Sequence, residues 1–218
     1  MTKKVKIIST SILFLIVVII YLSGLLLDNK TLTFFTKPFI TISLVLVYLV
    51  SVKKASFWYV SALFFSFWGD TFLLFNDDFF LFGLVSFLIA HILYIKISSG
   101  YLKKTPTNKI IFSAIPFVLA FGSVFYVIND SLGDMFIPVI IYGIVISTFG
   151  KLTFLNYIQE KNTENLWLFL GGVIFIISDS LLAINKFYEA KEIYGVCIMI
   201  TYIVAQYLIC KAMIAKSK

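Results

Sequence analysis

The chain has 218 residues, of which 61% are hydrophobic, 18% aromatic and only 13% charged. Soluble domains carry about a quarter charged residues, so this composition excludes an ordinary water-soluble fold and points to a compact multi-span membrane protein. The net charge of +7 comes wholly from lysine, and the lysines sit between apolar runs, which reads as topology rather than nucleic-acid binding.

The first apolar run, 7–27, follows Lys3, Lys4 and Lys6, as the core of a signal peptide would. It is too long for such a core and lacks a small-x-small cleavage site, so it reads as a retained first helix. Further runs near the length of about 20 residues that crosses the hydrocarbon layer predict spans at 34–52, 56–76, 79–97, 110–128, 135–155, 166–185 and 192–213. The pairs Asp28-Asn29, Asn76-Asp77 and Asn129-Asp130 mark three of the turns. Pro38 and Pro138 read as opening the second and sixth spans. Cys197 and Cys210 share the last run, about 20 Å apart along a helix, and form no CxxC motif. With no linker or soluble segment, residues 1–218 are expected to form a single transmembrane domain: an all-α integral membrane protein of eight transmembrane helices.

Lys30, Lys37, Lys186 and Lys191 fall on one side of the predicted membrane, and the other fourteen of the 18 lysines, Lys218 included, on the side of the N-terminus. Positive charge marks the inner face, so both termini are expected to be cytoplasmic in a multi-pass protein of the cell (inner) membrane. Acidic loop residues such as Asp28, Asp77 and Asp78 lie on the outer side. A weak internal echo pairs GDTFLL of span 3 with SDSLLA of span 7, and AHILY of span 4 with AQYLI of span 8. It suggests two four-helix parallel repeats, although apolar helices resemble one another by default.

Two acids lie well inside the spans, Asp70 and Asp179. A carboxylate at the centre of a spanning helix costs roughly 2.5–3.5 kcal/mol on insertion scales, and such groups tend to face the bundle interior and to be functional. Each lies about 9 Å along the helix from its outer end, at 1.5 Å per residue, on spans running in the same direction. Matching depth suits a shared site in which one acid is protonated and the other is not; each could instead bond a neighbouring hydroxyl and only fix helix packing. His91, the one histidine, shares a helix face with Phe87 and Tyr94. It fits hydrogen bonding, proton handling or packing better than a metal site, which usually offers more nitrogen or sulfur. Tyr202 and Gln206 share a face of span 8, Lys37 stands at the outer mouth of span 2 and Asn185 at the end of span 7. Ser66 is one turn before Asp70, able to bond its carboxylate or the backbone. The remaining aromatics read as lipid-facing and packing material. Motifs of soluble hydrolases and nucleotide-binding enzymes (GxSxG, GxGxxG, HExxH, the P-loop) are absent.

Five segments in order carry a resemblance across most of the chain: TKP at 36–38, SFWGD at 66–70, FG at 82–83 with AHILY at 90–94, SDSLLAINKF at 178–187 and TYIVAQ at 201–206. In these the chain resembles the YhhN family of integral membrane proteins, the lysoplasmalogenase-like group. The resemblance implies hydrolysis of the vinyl ether bond of a lysoplasmalogen, or a related lysolipid, to a fatty aldehyde and a glycerophospho-head group. It implies a lysophospholipid substrate within the bilayer, water as the second reactant and no cofactor. Asp70 and Asp179 would supply acid and base; His91, Tyr94, Tyr202 and Gln206 would position water and the ether oxygen; Lys37 and Asn185 would meet the head group. Paired intramembrane carboxylates also serve proton-coupled transporters, so a carrier of a small or lipid substrate is the alternative. A metal-dependent hydrolase using His91 with both aspartates, and a non-catalytic scaffold, complete the set.

Overall fold

The computed structural model describes residues 2–217, apart from the side chains at 76–78. Lys218 and the carboxylates of Asp77 and Asp78, counted above, lie outside the described residues. Among these residues all regular structure is helical, and eight helices are long and apolar enough to cross a membrane. They are α1 (Lys3–Leu26), α2 (Lys30–Ser51), α3 (Phe57–Phe72), α4 (Phe80–Ser99), α5 (Thr107–Ile128), α6 (Phe136–Gln159), α7 (Thr163–Phe187) and α8 (Glu192–Lys216). Every expected span is present, but hydropathy marked the edge of the oil and not the end of the helix. Thr2, Asn29 and Asn162 cap α1, α2 and α7 by accepting a first-turn amide, which starts those helices within polar sequence. Pro38 consequently lies inside α2 rather than at its opening. The α3 helix ends earlier than expected, and the Asn76-Asp77 pair belongs to a tighter helical stretch, Leu73–Phe79, that leads into α4.

The chain falls into two compact units, Met1–Ala90 with Met213–Lys218, and His91–Ala212. In the first, α2 packs against both α1 and α3. The α1–α2 turn closes on Asp28, in the left-handed region at φ 49°, with the Asn29 amide donating to the Gly24 carbonyl at 2.8 Å. That is the bond pattern of a helix C-cap. At the other end of α2, the buried Tyr48 hydroxyl accepts the Ser56 amide at 2.9 Å, and the Tyr59 ring meets the Tyr48 ring edge-on at 4.6 Å. Gly69 brings α3 against α4: a Cβ there would stand 2.6 Å from the Phe87 ring.

In the second unit α5, α6 and α7 pack on one another, and α6 presents two faces that repeat at seven residues. Gly143 and Gly150 receive the rings of Phe121 and Phe117 from α5; an added Cβ would stand 2.0 Å and 2.5 Å from them. Tyr142, Phe149 and Asn156 form the other face and meet α4, at His91, at His91 and Tyr94, and at the Ser98 carbonyl respectively. A seven-residue repeat keeps one seam of a helix against its neighbour. On α7, Gly171 lets α8 approach at Ala205 and Ile209, and the Ser178 hydroxyl donates to the Ile198 carbonyl at 2.9 Å. Small residues at such crossings let helices approach closely where lipid gives no hydrophobic drive.

Gly143→Ala forces the Phe121 ring out of its seat, and such overpacking costs about 1–3 kcal/mol. Nothing lies within 4 Å of a Cβ at Gly122, so Gly122→Ala is expected to be neutral or to stabilise by up to about 1 kcal/mol. Thermal unfolding of both variants in detergent checks the contrast.

Candidate functional site

The first unit holds Asp70. The buried face of α3 runs through Tyr59, Ala62, Leu63, Ser66, Gly69 and Asp70, spacings that keep one side of a helix inward. Asp70 is 2% exposed, and Thr41 Oγ1 of α2 donates to its Oδ2 at 2.9 Å. Lys37 stands one helical turn before Thr41 on the same face, half-buried and within electrostatic reach of Asp70. Because α2 starts at Lys30, Lys37 is about 10 Å along the helix from that end. Buried Tyr21 of α1 is a further hydroxyl within reach of the Asp70 charge. The Ser66 hydroxyl donates to the Ala62 carbonyl at 3.0 Å.

The second unit holds Asp179, His91, Tyr94, Tyr202 and Gln206. The hydroxyl of Tyr142 donates to Asp179 Oδ2 and lies 3.4 Å from His91 Nδ1. A phenol has one proton; with that proton given to Asp179, His91 Nδ1 can only donate to the Tyr142 oxygen. If Asp179 carries the proton instead, both bonds reverse, so Tyr142 can pass a proton between carboxylate and imidazole. Beside this chain runs a second one. Tyr94 donates to Gln206 Oε1 at 3.0 Å, and Gln206 Nε2 donates to the Tyr202 hydroxyl at 3.4 Å. The Phe175 ring separates the two, edge-on to His91 at 4.6 Å and to Tyr202 at 5.5 Å. His91 itself is fully buried.

A cavity of about 60 Å³ adjoins Asp179, with Tyr142, Ser147 and Ser180 on its polar side and Phe121 and Val139 among its apolar walls. A water occupies about 30 Å³ of liquid and needs polar partners; this mainly apolar cavity has the space, with Asp179 and Tyr142 among its lining residues as polar groups. Asn185 is not part of that wall. Its Oδ1 accepts the Lys191 amide at 2.9 Å and fastens the α7–α8 turn. In that turn Glu189 hydrogen-bonds Lys191 at 2.8 Å and raises the lysine above its ordinary pKa. Among the described residues, no three His, Cys, Asp or Glu side chains converge in a metal-binding cluster.

Five of the eight candidate residues thus meet in one unit, Asp70 and Lys37 meet in the other, and Asn185 serves a turn. Tyr142 and Thr41 escaped the sequence reading. Tyr142 stands in IPVIIYGIVIS, where a lone tyrosine looks like packing material. Thr41 had a usable signal: it lies four residues after Lys37 and shares its face.

The YhhN family model matches residues 32–213 of this chain. The chain belongs to the YhhN family. Its YhhN region runs from the start of α2 to the last turns of α8 and includes every candidate residue from Lys37 to Gln206, while Tyr21 precedes it. No curated protein and no solved structure gives a significant match.

Removing one hydroxyl that donates to an intramembrane carboxylate withdraws a hydrogen bond, at a cost of about 0.5–1.5 kcal/mol. Thr41→Val and Tyr142→Phe are each expected to lose that much stability in detergent. Tyr126→Phe, at a tyrosine 86% exposed, should change it by less than about 0.5 kcal/mol.

Proposed function

We propose that this YhhN protein is a membrane-embedded hydrolase that cleaves the vinyl ether bond of a lysoplasmalogen or related lysolipid. The observation that carries the reading is the proton chain from His91 through Tyr142 to Asp179, beside a cavity with room for water. Asp70 and Asp179 share the roles of acid and base. The acid delivers its proton to the β-carbon of the vinyl ether, leaving an oxocarbenium ion at the carbon bound to oxygen. Water adds to that carbon and gives its proton to the carboxylate base. The resulting hemiacetal collapses: its hydroxyl proton leaves, the carbon–oxygen bond to glycerol breaks, and the glycerol oxygen takes up a proton. The products are a fatty aldehyde and a glycerophospho-head group. Glycosidases handle an oxocarbenium-like transition state with the same pairing of carboxyl groups.

Tyr142 and His91 act as positioning residues that supply and orient the proton on Asp179. Tyr94, Gln206 and Tyr202 are placed by this reading around the water and the ether oxygen, and Lys37 meets the head group. The lysine distribution supports cytoplasmic termini.

Purified protein is expected to release aldehyde from ethanolamine or choline lysoplasmalogen. Asp70→Asn and Asp179→Asn should each lower kcat by about 100-fold or more, while Tyr126→Phe retains it. Tyr142→Phe should lower kcat less and displace the pH profile, which a purely structural loss would not do. Absence of aldehyde from folded wild type, together with uptake of unchanged lipid into sealed vesicles, would replace the hydrolase by the carrier.

A further inference from the structure

Lys151 is the charged residue of α6 that the site above does not use. It lies eight residues before Gln159, the last residue of α6, or about 12 Å of helix. The side chain is half-buried, and among the described residues it has neither an ion pair nor a hydrogen bond. It opens onto a groove of about 300 Å³ between α5 and α6. The walls are Ala114, Phe117, Val118 and Phe121 on one helix and Ile144, Ser147, Thr148 and Lys151 on the other, each set at spacings that share one helix face. Opposed to the antiparallel α5, Lys151 stands at the level of Ala114, whose small side chain leaves the groove wide there. At its other end the groove shares Phe121 and Ser147 with the cavity beside Asp179.

We propose that this groove binds a single-chain phospholipid, with the phosphate on Lys151 and the first chain carbons directed toward Phe121, and that it is the lateral entrance to the Asp179 cavity. The entrance role rests on the hydrolase reading; the binding site does not. Three observations select the occupant. An ammonium without a partner, half-buried near the inner end of a spanning helix, offers a site for an anion. The walls around it are apolar, so the anion arrives on a hydrocarbon chain. The volume is about twice the ~150 Å³ of an engineered apolar cavity that holds benzene, room for a stretch of one chain. A second groove of about 310 Å³ on the other flank of Phe117 has only apolar walls, among them Pro116, Phe154 and Phe169. Volume alone therefore does not distinguish the site; the lysine does.

The probe is a saturated 1-O-alkyl lysophosphatidylcholine, which lacks the vinyl bond and cannot be cleaved by this chemistry, titrated into full-length protein in nanodiscs. An alkylglycerol of the same chain length is the neutral control. Lys151→Gln is expected to weaken phospholipid binding about tenfold, the loss of one charge-assisted contact, with alkylglycerol binding unchanged. Lys151→Arg keeps phospholipid binding within about threefold of wild type. Ala114→Phe fills the groove and weakens both lipids. Unaltered phospholipid binding by Lys151→Gln, equal weakening of both lipids by that variant, or no binding by wild type would overturn the proposal. Aldehyde release separates the two readings. With lysoplasmalogen, the Lys151→Gln effect should fall on KM rather than kcat. Wild type that binds the probe but releases no aldehyde keeps the groove and loses the reaction. Aldehyde release with unaltered KM and probe binding in Lys151→Gln keeps the reaction and loses the groove.

Discussion

A carboxylate inside a hydrocarbon layer has no water to turn to, so its hydrogen-bond donors must come from neighbouring helices of its own chain. Asp70 and Asp179 impose that demand, and the packing around each answers it. Asp179 needs Tyr142, which fixes the rotation of α6 about its axis. That rotation turns Phe149 and Asn156 toward α4 and turns Gly143 and Gly150 toward the rings of α5. One hydrogen bond is thus consistent with three helix contacts along some twenty ångströms of α6, at 1.5 Å per residue. Apolar packing alone would tolerate small rotations of a lipid-solvated helix; an unsatisfied acid would not.

The two carboxylates are held differently. Asp70 is buried, with the Thr41 hydroxyl donating to it and the half-buried Lys37 within electrostatic reach. Asp179 is half-buried and bonded to a group that itself reaches an imidazole. The first arrangement holds a carboxyl group in place, while the second can relocate a proton by reversing two hydrogen bonds. A carboxylate whose proton can be moved is what acid–base chemistry needs, and the proton path to Asp179 supports the proposed hydrolysis more than the mere presence of two acids does. The packing of α5 belongs to the same account: its phenylalanines seat on glycines and leave a groove on either flank of Phe117.

Much of this protein was legible without coordinates. Lipid as a solvent demands about 20 apolar residues per crossing, a rule each segment obeys on its own, so all eight spans followed from the chain. The same rule made Asp70, Asp179 and His91 conspicuous, and helical periodicity joined Tyr202 to Gln206 and predicted their shared face. Helix ends were less legible, because the caps at Asn29 and Asn162 depend on a single side-chain bond that hydropathy does not register; the cap at Asn29 is why Pro38 lies inside α2 rather than at its opening. What only tertiary structure decided was partnership between helices. Tyr142 and Thr41 are ordinary residues in apolar runs until another helix brings a carboxylate to them, and Lys151 is an ordinary inner lysine until α5 leaves a groove beside it. The sequence by itself determined how each segment meets the membrane, since that depends on neighbours along the chain. Which polar atoms meet each other depends on helix rotation, and rotation is set by contacts between residues dozens of positions apart.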